Sequence, residues 1–374
     1  MKTLIIVPPN GILKKQDFFI DRLVQFLFIK YKWKIILIIL KEPSYMTTHK
    51  YFDKVLQVDT KDEILSIISK IDYTILISRG WMHAYAFSAE ILKNFPNAII
   101  TLKDWNFSTR EEYKFLFGND DDFKAIEYIF RYGKKILSHY TEEQAVIWSK
   151  IYKVNVDKFI FLPELTLYSN FNEKNTKFSN KLNLVYAGRI SSTVLPGEIF
   201  PNKSHIYSIK KLTSESITIS FLIPKKNLDE MKTKRELFID FFYEDRFNNN
   251  FAILEGKDLD SKKLHGYHFG FFELFIDSKN EMLYKYAVVS KFAFYLEGAL
   301  PILVHEKFVS MAKIVRDNNI GIVFSNDNFK DFASFLQMHK DQYEVFIENI
   351  KNFRKVFSFN NCNFVELLGL DIEK

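Results

Sequence analysis

The sequence predicts an α/β protein of two doubly wound, parallel-sheet domains, Rossmann-like in style, and three observations carry that expectation. Short apolar, β-branched runs alternate along the chain with longer stretches of helical spacing, the pattern of a parallel sheet covered on both faces. The alternation lapses once, over ELTLYSNFNEKNTKFSN (residues 164–180), and then restarts, which marks a linker. A length of 374 residues also exceeds what one ordinary core holds. Two such domains are expected to face each other across a ligand-holding cleft, with ligands at the strand C-termini.

The first strand is TLIIV (3–7), stopped by the turn Pro8-Pro-Asn-Gly11. Phe19, Ile20, Leu23, Phe26 and Leu27 then follow helical spacing between residues 16 and 31, and the buried strand 33–40 completes one βαβ unit. Further strands are expected at 55–58, 73–78, 98–102, 135–137 and 159–162, interleaved with helices at 61–71, 85–93, 121–131 and 141–152. The last of these helices opens on Thr141 with acids in its first turn. Beyond the linker, strands are expected at 182–187, 217–222 and 251–254 and within 269–276, with a helix at 227–238 and a helix or turn at 259–264. The stretch YKYAVVSKFAFYLEGALPILV (284–304) has a polar entrance at Ser290-Lys291, an apolar helix, a turn at Gly298 and Pro301, and a strand at 302–304. A strand at 322–324, a helix at 328–338 and two helical runs, 340–352 and 353 onwards, close the chain. The expected organisation is a first domain over 1–165, a linker at 166–180, a second domain over 181–340, and C-terminal helices over 341–374 packing back towards the first domain.

Composition excludes several classes. Hydrophobic residues at 47% and charged residues at 26% describe a globular protein, not a disordered one. The lone Cys362 cannot form an internal disulfide and no Cys/His group has zinc spacing, so the expectation is a reducing cytoplasm and no metal or other cofactor. The N-terminal apolar run is too short for a signal sequence, and the run at 33–40 is too short to span a bilayer. A net charge of +6 suits loose, peripheral attraction to an anionic inner membrane or to a phosphorylated substrate. Without a nucleic-acid module or a long basic run, no nucleic-acid partner is expected.

Four segments, in this order, carry a resemblance. They are Ile77-Ser-Arg-Gly-Trp-Met-His83 with the loop through Asp104 and Thr109-Arg-Glu-Glu112; Ile136-Leu-Ser-His-Tyr-Thr-Glu142 running on to Asp157-Lys-Phe-Ile-Phe-Leu-Pro163; Leu184-Val-Tyr-Ala-Gly-Arg189 with Asn202-Lys203; and Tyr267-His-Phe-Gly-Phe271 with Ser290-Lys291-Phe292, Tyr295-Leu296 and Leu300-Pro301. Together they resemble the GT-B fold glycosyltransferases, closest in style to the bacterial retaining group called family 4 or group 1.

The resemblance implies a nucleotide-sugar donor in the second domain and a surface-glycan or lipid-linked acceptor in the first. Donor contacts fall to Gly188, Arg189, Lys203, Ser290 and Lys291, because a departing diphosphate needs cations and backbone N–H groups at a helix start. His83 occupies the loop position that touches the transferred sugar, and Asp104 is the competing base. Asn10, Gly11, Trp81 and Trp105 are the expected acceptor contacts, the indoles as stacking platforms with core packing as their alternative. The chain departs from the family where two glutamates eight apart are usual. Glu273 and Glu281 have that spacing but precede Lys291, the helix offers Phe294 instead, and ribose recognition falls to Glu297. A nucleotide-sugar epimerase of the same fold and a catalytically silent nucleotide- or glycan-binding protein stay open beside the transferase.

Overall fold

The computed structural model describes residues 2–12, 17–41, 50–103, 105, 110–173, 176–190, 202–241, 249–256, 260–272 and 284–369. The chain forms two compact units, unit 1 comprising Met1–Glu164 with Asn363–Lys374, and unit 2 comprising Leu165–Cys362.

Unit 1 runs β1 (Thr3–Val7), α1 (Phe18–Phe26), β2 (Lys34–Leu40), β3 (Lys54–Val58), α2 (Lys61–Ile68), β4 (Ile75–Arg79), α3 (Tyr85–Asn94), β5 (Ile99–Leu102), α4 (Arg110–Phe117), α5 (Asp121–Tyr132), β6 (Ile136–Ser138), α6 (Glu142–Tyr152) and β7 (Phe159–Phe161). Its seven strands pair in the order β3-β2-β1-β4-β5-β6-β7, all parallel. Leu4 to Val7 and Ile35 to Ile39 are buried without alternation, because helices cover both faces of a parallel sheet. The Asp17 carboxylate accepts the Ile20 N–H and caps α1. The Thr60 hydroxyl accepts the Glu63 N–H, while the Glu63 carboxylate accepts the Asp59 N–H, fixing the start of α2.

Unit 2 runs β8 (Asn183–Ala187), α7 (Asn202–Ser214), β9 (Thr218–Ile223), α8 (Lys225–Thr233), β10 (Phe251–Glu255), β11 (Phe269–Phe271), α9 (Ser290–Glu297), β12 (Ile302–His305), α10 (Val309–Asn318), β13 (Gly321–Phe324), α11 (Phe332–Gln337) and α12 (Tyr343–Val356). A last short helix, α13 (Phe364–Leu367), lies in the part of the chain that returns to unit 1. The six strands pair in the order β10-β9-β8-β11-β12-β13, again all parallel. The fold class read from the sequence is therefore the observed one: two parallel sheets with flanking helices.

Three details differ from expectation for physical reasons. Helix α7 escaped the apolar pattern because His205, Ser208 and Thr213 share its buried side with Ile209 and Leu212, so its periodicity is half polar. The runs 340–352 and 353 onwards are not two helices, since α12 continues without a break to Val356. After α9 the left-handed residue is Ala299, at φ 50°, and not Gly298. Gly298 is needed for closeness instead, as a Cβ there would lie 2.6 Å from Leu264. The segment read as a linker is bonded within unit 2: the Thr166 hydroxyl donates to the carbonyls of Arg354 and Phe357, and the Leu167 N–H donates to the Glu297 carboxylate.

Candidate functional site

In an open parallel sheet the chain leaves a crevice where strand order reverses, outside the carboxyl ends of the two central strands. The reversal falls between β1 and β4 in unit 1 and between β8 and β11 in unit 2. Both edges carry the residues that the sequence singled out.

In unit 1, β1 runs into the turn Asn10-Gly11, with both residues left-handed (φ 51° and 74°). Gly11 is required there, since a Cβ would lie 2.9 Å from Leu40 and from Ile64. Strand β4 runs into Gly80 to Ala84, where His83 is exposed and also left-handed (φ 68°). The two loops meet: Asn10 Nδ2 donates to the His83 carbonyl at 2.7 Å, and Lys61 Nζ donates to Asn10 Oδ1 at 3.1 Å. The carboxylate of Asp122, reaching from α5, accepts the N–H groups of His83, Tyr85 and Ala86 at the start of α3. Burial pushes the Asp122 carboxyl up, against the pull of those donors. Trp81 is half-buried in the same loop.

Beneath this edge lies an ion network that sequence reasoning missed. Arg79, the last residue of β4, donates to Asp17 Oδ2, Glu164 Oε1 and Thr101 Oγ1, and its Nη1 lies 2.7 Å from His139 Nε2. His139 Nδ1 lies 3.1 Å from the Leu162 carbonyl, which makes Nδ1 the donor and Nε2 the acceptor from Arg79. Lys103 donates to the same Glu164 oxygen at 2.8 Å. Burial opposes the charge on both carboxyls, but Arg79 and Lys103 outweigh it and hold Asp17 and Glu164 below the usual carboxylate range. Burial, with both cations adding, pushes His139 well down and keeps it neutral. The available signal was positional, because Arg79, Lys103, His139 and Glu164 each end or closely follow a predicted strand.

Two expectations in unit 1 need correction or fall outside view. Trp105 is not a sugar platform: its ring is fully buried against Tyr85, Tyr113 and Phe123 and offers no face to a ligand. Asp104 lies outside the described residues.

In unit 2, β8 runs into Gly188-Arg189 and β11 into Phe272, while α9 begins with Ser290-Lys291. The Tyr295 hydroxyl binds the edge together. It accepts the Ala187 N–H at 2.9 Å and faces the Phe271 and Val185 carbonyls at 2.8 and 3.2 Å. Its ring packs so closely on β11 that a Cβ at Gly270 would lie 2.6 Å away, which explains glycine within Phe269-Gly-Phe271. Asn227 fixes the following loop through both the N–H and the carbonyl of Ile190. The Lys291 ammonium sits 3.9 Å from the centre of the Tyr186 ring, a cation–π contact. His205 packs edge-on against Tyr186, and burial, with the Lys291 charge adding, pushes it down to about 3. Arg189 is half-exposed, its Nη2 3.6 Å from Glu230 Oε2.

The unit therefore brings together Gly188, Arg189, Ser290 and Lys291. The side chain of Lys203 lies outside the described residues. Glu297 is not placed for ribose, because it is fully buried and its carboxylate accepts the Leu167 N–H, while its carbonyl accepts from Asn172 and Arg354.

Compared with solved structures, the chain has the GT-B fold. It resembles an alpha,alpha-trehalose-phosphate synthase (UDP-forming) from Burkholderia vietnamiensis (TM-score 0.61, 8% identity, 99% of each chain covered). It also resembles WaaG, a glycosyltransferase involved in lipopolysaccharide biosynthesis (0.56, 10%, covering 99% of this chain and 98% of that one). Against a Thermobaculum terrenum O-GlcNAc transferase mutant (0.59, 10%) it covers 98% of its own length and 66% of the other chain. Residues 228–364 match the family model described as Glucosyltransferase 3-like, C-terminal domain. The whole chain thus shares the GT-B fold, and its C-terminal part is similar to a glucosyltransferase domain. No curated protein matches the chain.

Proposed function

We propose that the protein transfers a sugar, glucose being the first to test, from a UDP-sugar held at the β8/β11 edge of unit 2 to a bacterial surface-glycan or lipid-linked acceptor engaged by unit 1. The observation that carries this reading is the convergence in unit 2 of the strand-order reversal, the Gly188-Arg189 turn and the N-terminus of α9 with Lys291 beside it. A departing diphosphate gathers negative charge, and helix N–H groups with flanking cations stabilise it. Lys291 and Arg189 supply that charge from the chain itself, with Lys203 at the start of α7 a third contributor. The UDP-forming synthase of the same fold and the matched glucosyltransferase domain support the choice of base and sugar. His83 contacts the transferred sugar, with retention of its anomeric configuration, and the acceptor is met on the cytoplasmic side of a membrane with peripheral contact to anionic lipid.

A thermal-shift series with UDP, GDP, CMP and dTDP tests the donor assignment. UDP is expected to raise the melting temperature selectively, and Lys291→Ala is expected to abolish the rise. An unchanged UDP shift in that variant removes Lys291 from phosphate binding, and no shift with any nucleotide removes the donor site.

A further inference from the structure

We infer that Asn10 and Asp122 are positioning residues, a two-sided clamp that presets the backbone of His83 before substrate arrives. This rests on the reading of His83 as the residue that contacts the transferred sugar. Four non-glycine residues among those described in unit 1 have positive φ: Asn10, Lys32, His83 and Lys153. Lys32 and Lys153 end helical segments, where a left-handed residue is ordinary. Asn10 and His83 end no α-helix, and they are bonded to each other. Backbone held in a sparsely populated region persists only when its surroundings over-determine it.

The surroundings do so here from both sides of one residue. The Asn10 amide holds the His83 carbonyl, and Asp122 holds the His83 N–H. Asp122 is itself buried, and its second oxygen accepts from Tyr85 and Ala86, so the clamp is continuous with the first turn of α3. Tyr113 donates its hydroxyl to the oxygen that receives His83, at 3.1 Å. The His83 side chain remains exposed at the strand-order reversal while its main chain is fixed. Asn10 thereby changes role: its amide serves His83 and Lys61, not an acceptor sugar.

The test has two arms. In the first, amide hydrogen exchange over residues 83–86 is followed by mass spectrometry in the full-length protein. Asn10→Ala and Asp122→Asn are each expected to speed it at least tenfold while β-strand peptides keep their rates; unchanged exchange overturns the clamp. In the second, UDP release from UDP-glucose is measured in the single variants and combined with His83→Ala. Expected are a kcat at least fivefold lower with KM within twofold of wild type, and double variants no slower than His83→Ala alone. Losses that multiply with that of His83→Ala, or an unchanged kcat, overturn the inference. A His83→Ala variant with full kcat overturns the reading of His83 instead. If Asp122→Asn fails to fold, the Asn10→Ala variant decides both arms, since that residue is only partly buried.

Discussion

The two units end their sheets in opposite ways. At the β1/β4 edge the foundation is ionic, with Arg79 fully buried among Asp17, Glu164 and neutral His139 and with Lys103 at the rim. At the β8/β11 edge it is aromatic, with the Tyr295 hydroxyl linking the strands, Gly270 making room for the ring, and Lys291 lying over Tyr186. The difference concerns where charge is consumed. In unit 1 two cations and two carboxylates cancel internally, which leaves the exposed His83 above a neutralised base. In unit 2 the strand ends are knitted by a hydroxyl and rings, and the cations of α9 and the Gly-Arg turn lie at the edge itself.

The sharpest way to break this contrast is to remove the ionic foundation. Arg79→Ala removes the guanidinium that Asp17 and Glu164 share, leaving Glu164 only Lys103, and losing one member of such a buried network costs about 3–5 kcal/mol. Urea unfolding followed by hydrogen exchange should show that loss confined to unit 1. A cost below about 1 kcal/mol, the value of a surface pair, would make the network incidental.

Next in size is the hydroxyl of unit 2. Tyr295→Phe keeps the ring and leaves the Ala187 N–H without this acceptor, so a cost of about 1–3 kcal/mol confined to unit 2 is expected in the same measurement. A loss spread over both units would contradict the separation drawn between the two edges.

The smallest effect separates the units by pH. His139 and His205 are both held below the ordinary histidine value of 6.5. The unfolded chain therefore binds more protons than the folded one below that pH, and stability falls as pH drops, for His205 until about pH 3. Asp17 and Glu164 are also depressed, so their contribution is present above the unfolded carboxyl range and is lost as pH falls through their folded values. Asp122, held high, acts in the opposite sense and offsets part of this. Unit 1 should lose exchange protection more steeply than unit 2 once pH drops below the carboxylate range. Equal slopes would mean that the two carboxylates contribute nothing.

The same contrast explains what the sequence disclosed. The placement of Gly188-Arg189 and Ser290-Lys291 at the unit 2 edge was legible because each is a short contiguous word beside a strand or helix that periodicity reveals. The ionic network was not, because its members are single polar residues, the partners of Arg79 lying 22 to 85 positions from it and joined only by sheet order. Trp105 misled for a related reason: an indole beside a strand end reads alike whether it faces a ligand or the core. Glu297 was chosen by motif position, and only the structure shows that its carboxylate secures the segment entering unit 2. The strands themselves were readable throughout, since burial on both faces leaves unbroken apolar runs.

The left-handed backbone at position 83 also restricts which amino acids can stand there. Away from glycine, that conformation favours asparagine, aspartate and histidine and disfavours β-branched and bulky side chains. Within that small group histidine alone has an ordinary pKa near neutrality. A saturation library at position 83 should therefore be thinned by foldability before activity selects anything. The loop geometry would thus have narrowed the chemical alphabet at this position independently of which ligand meets this edge.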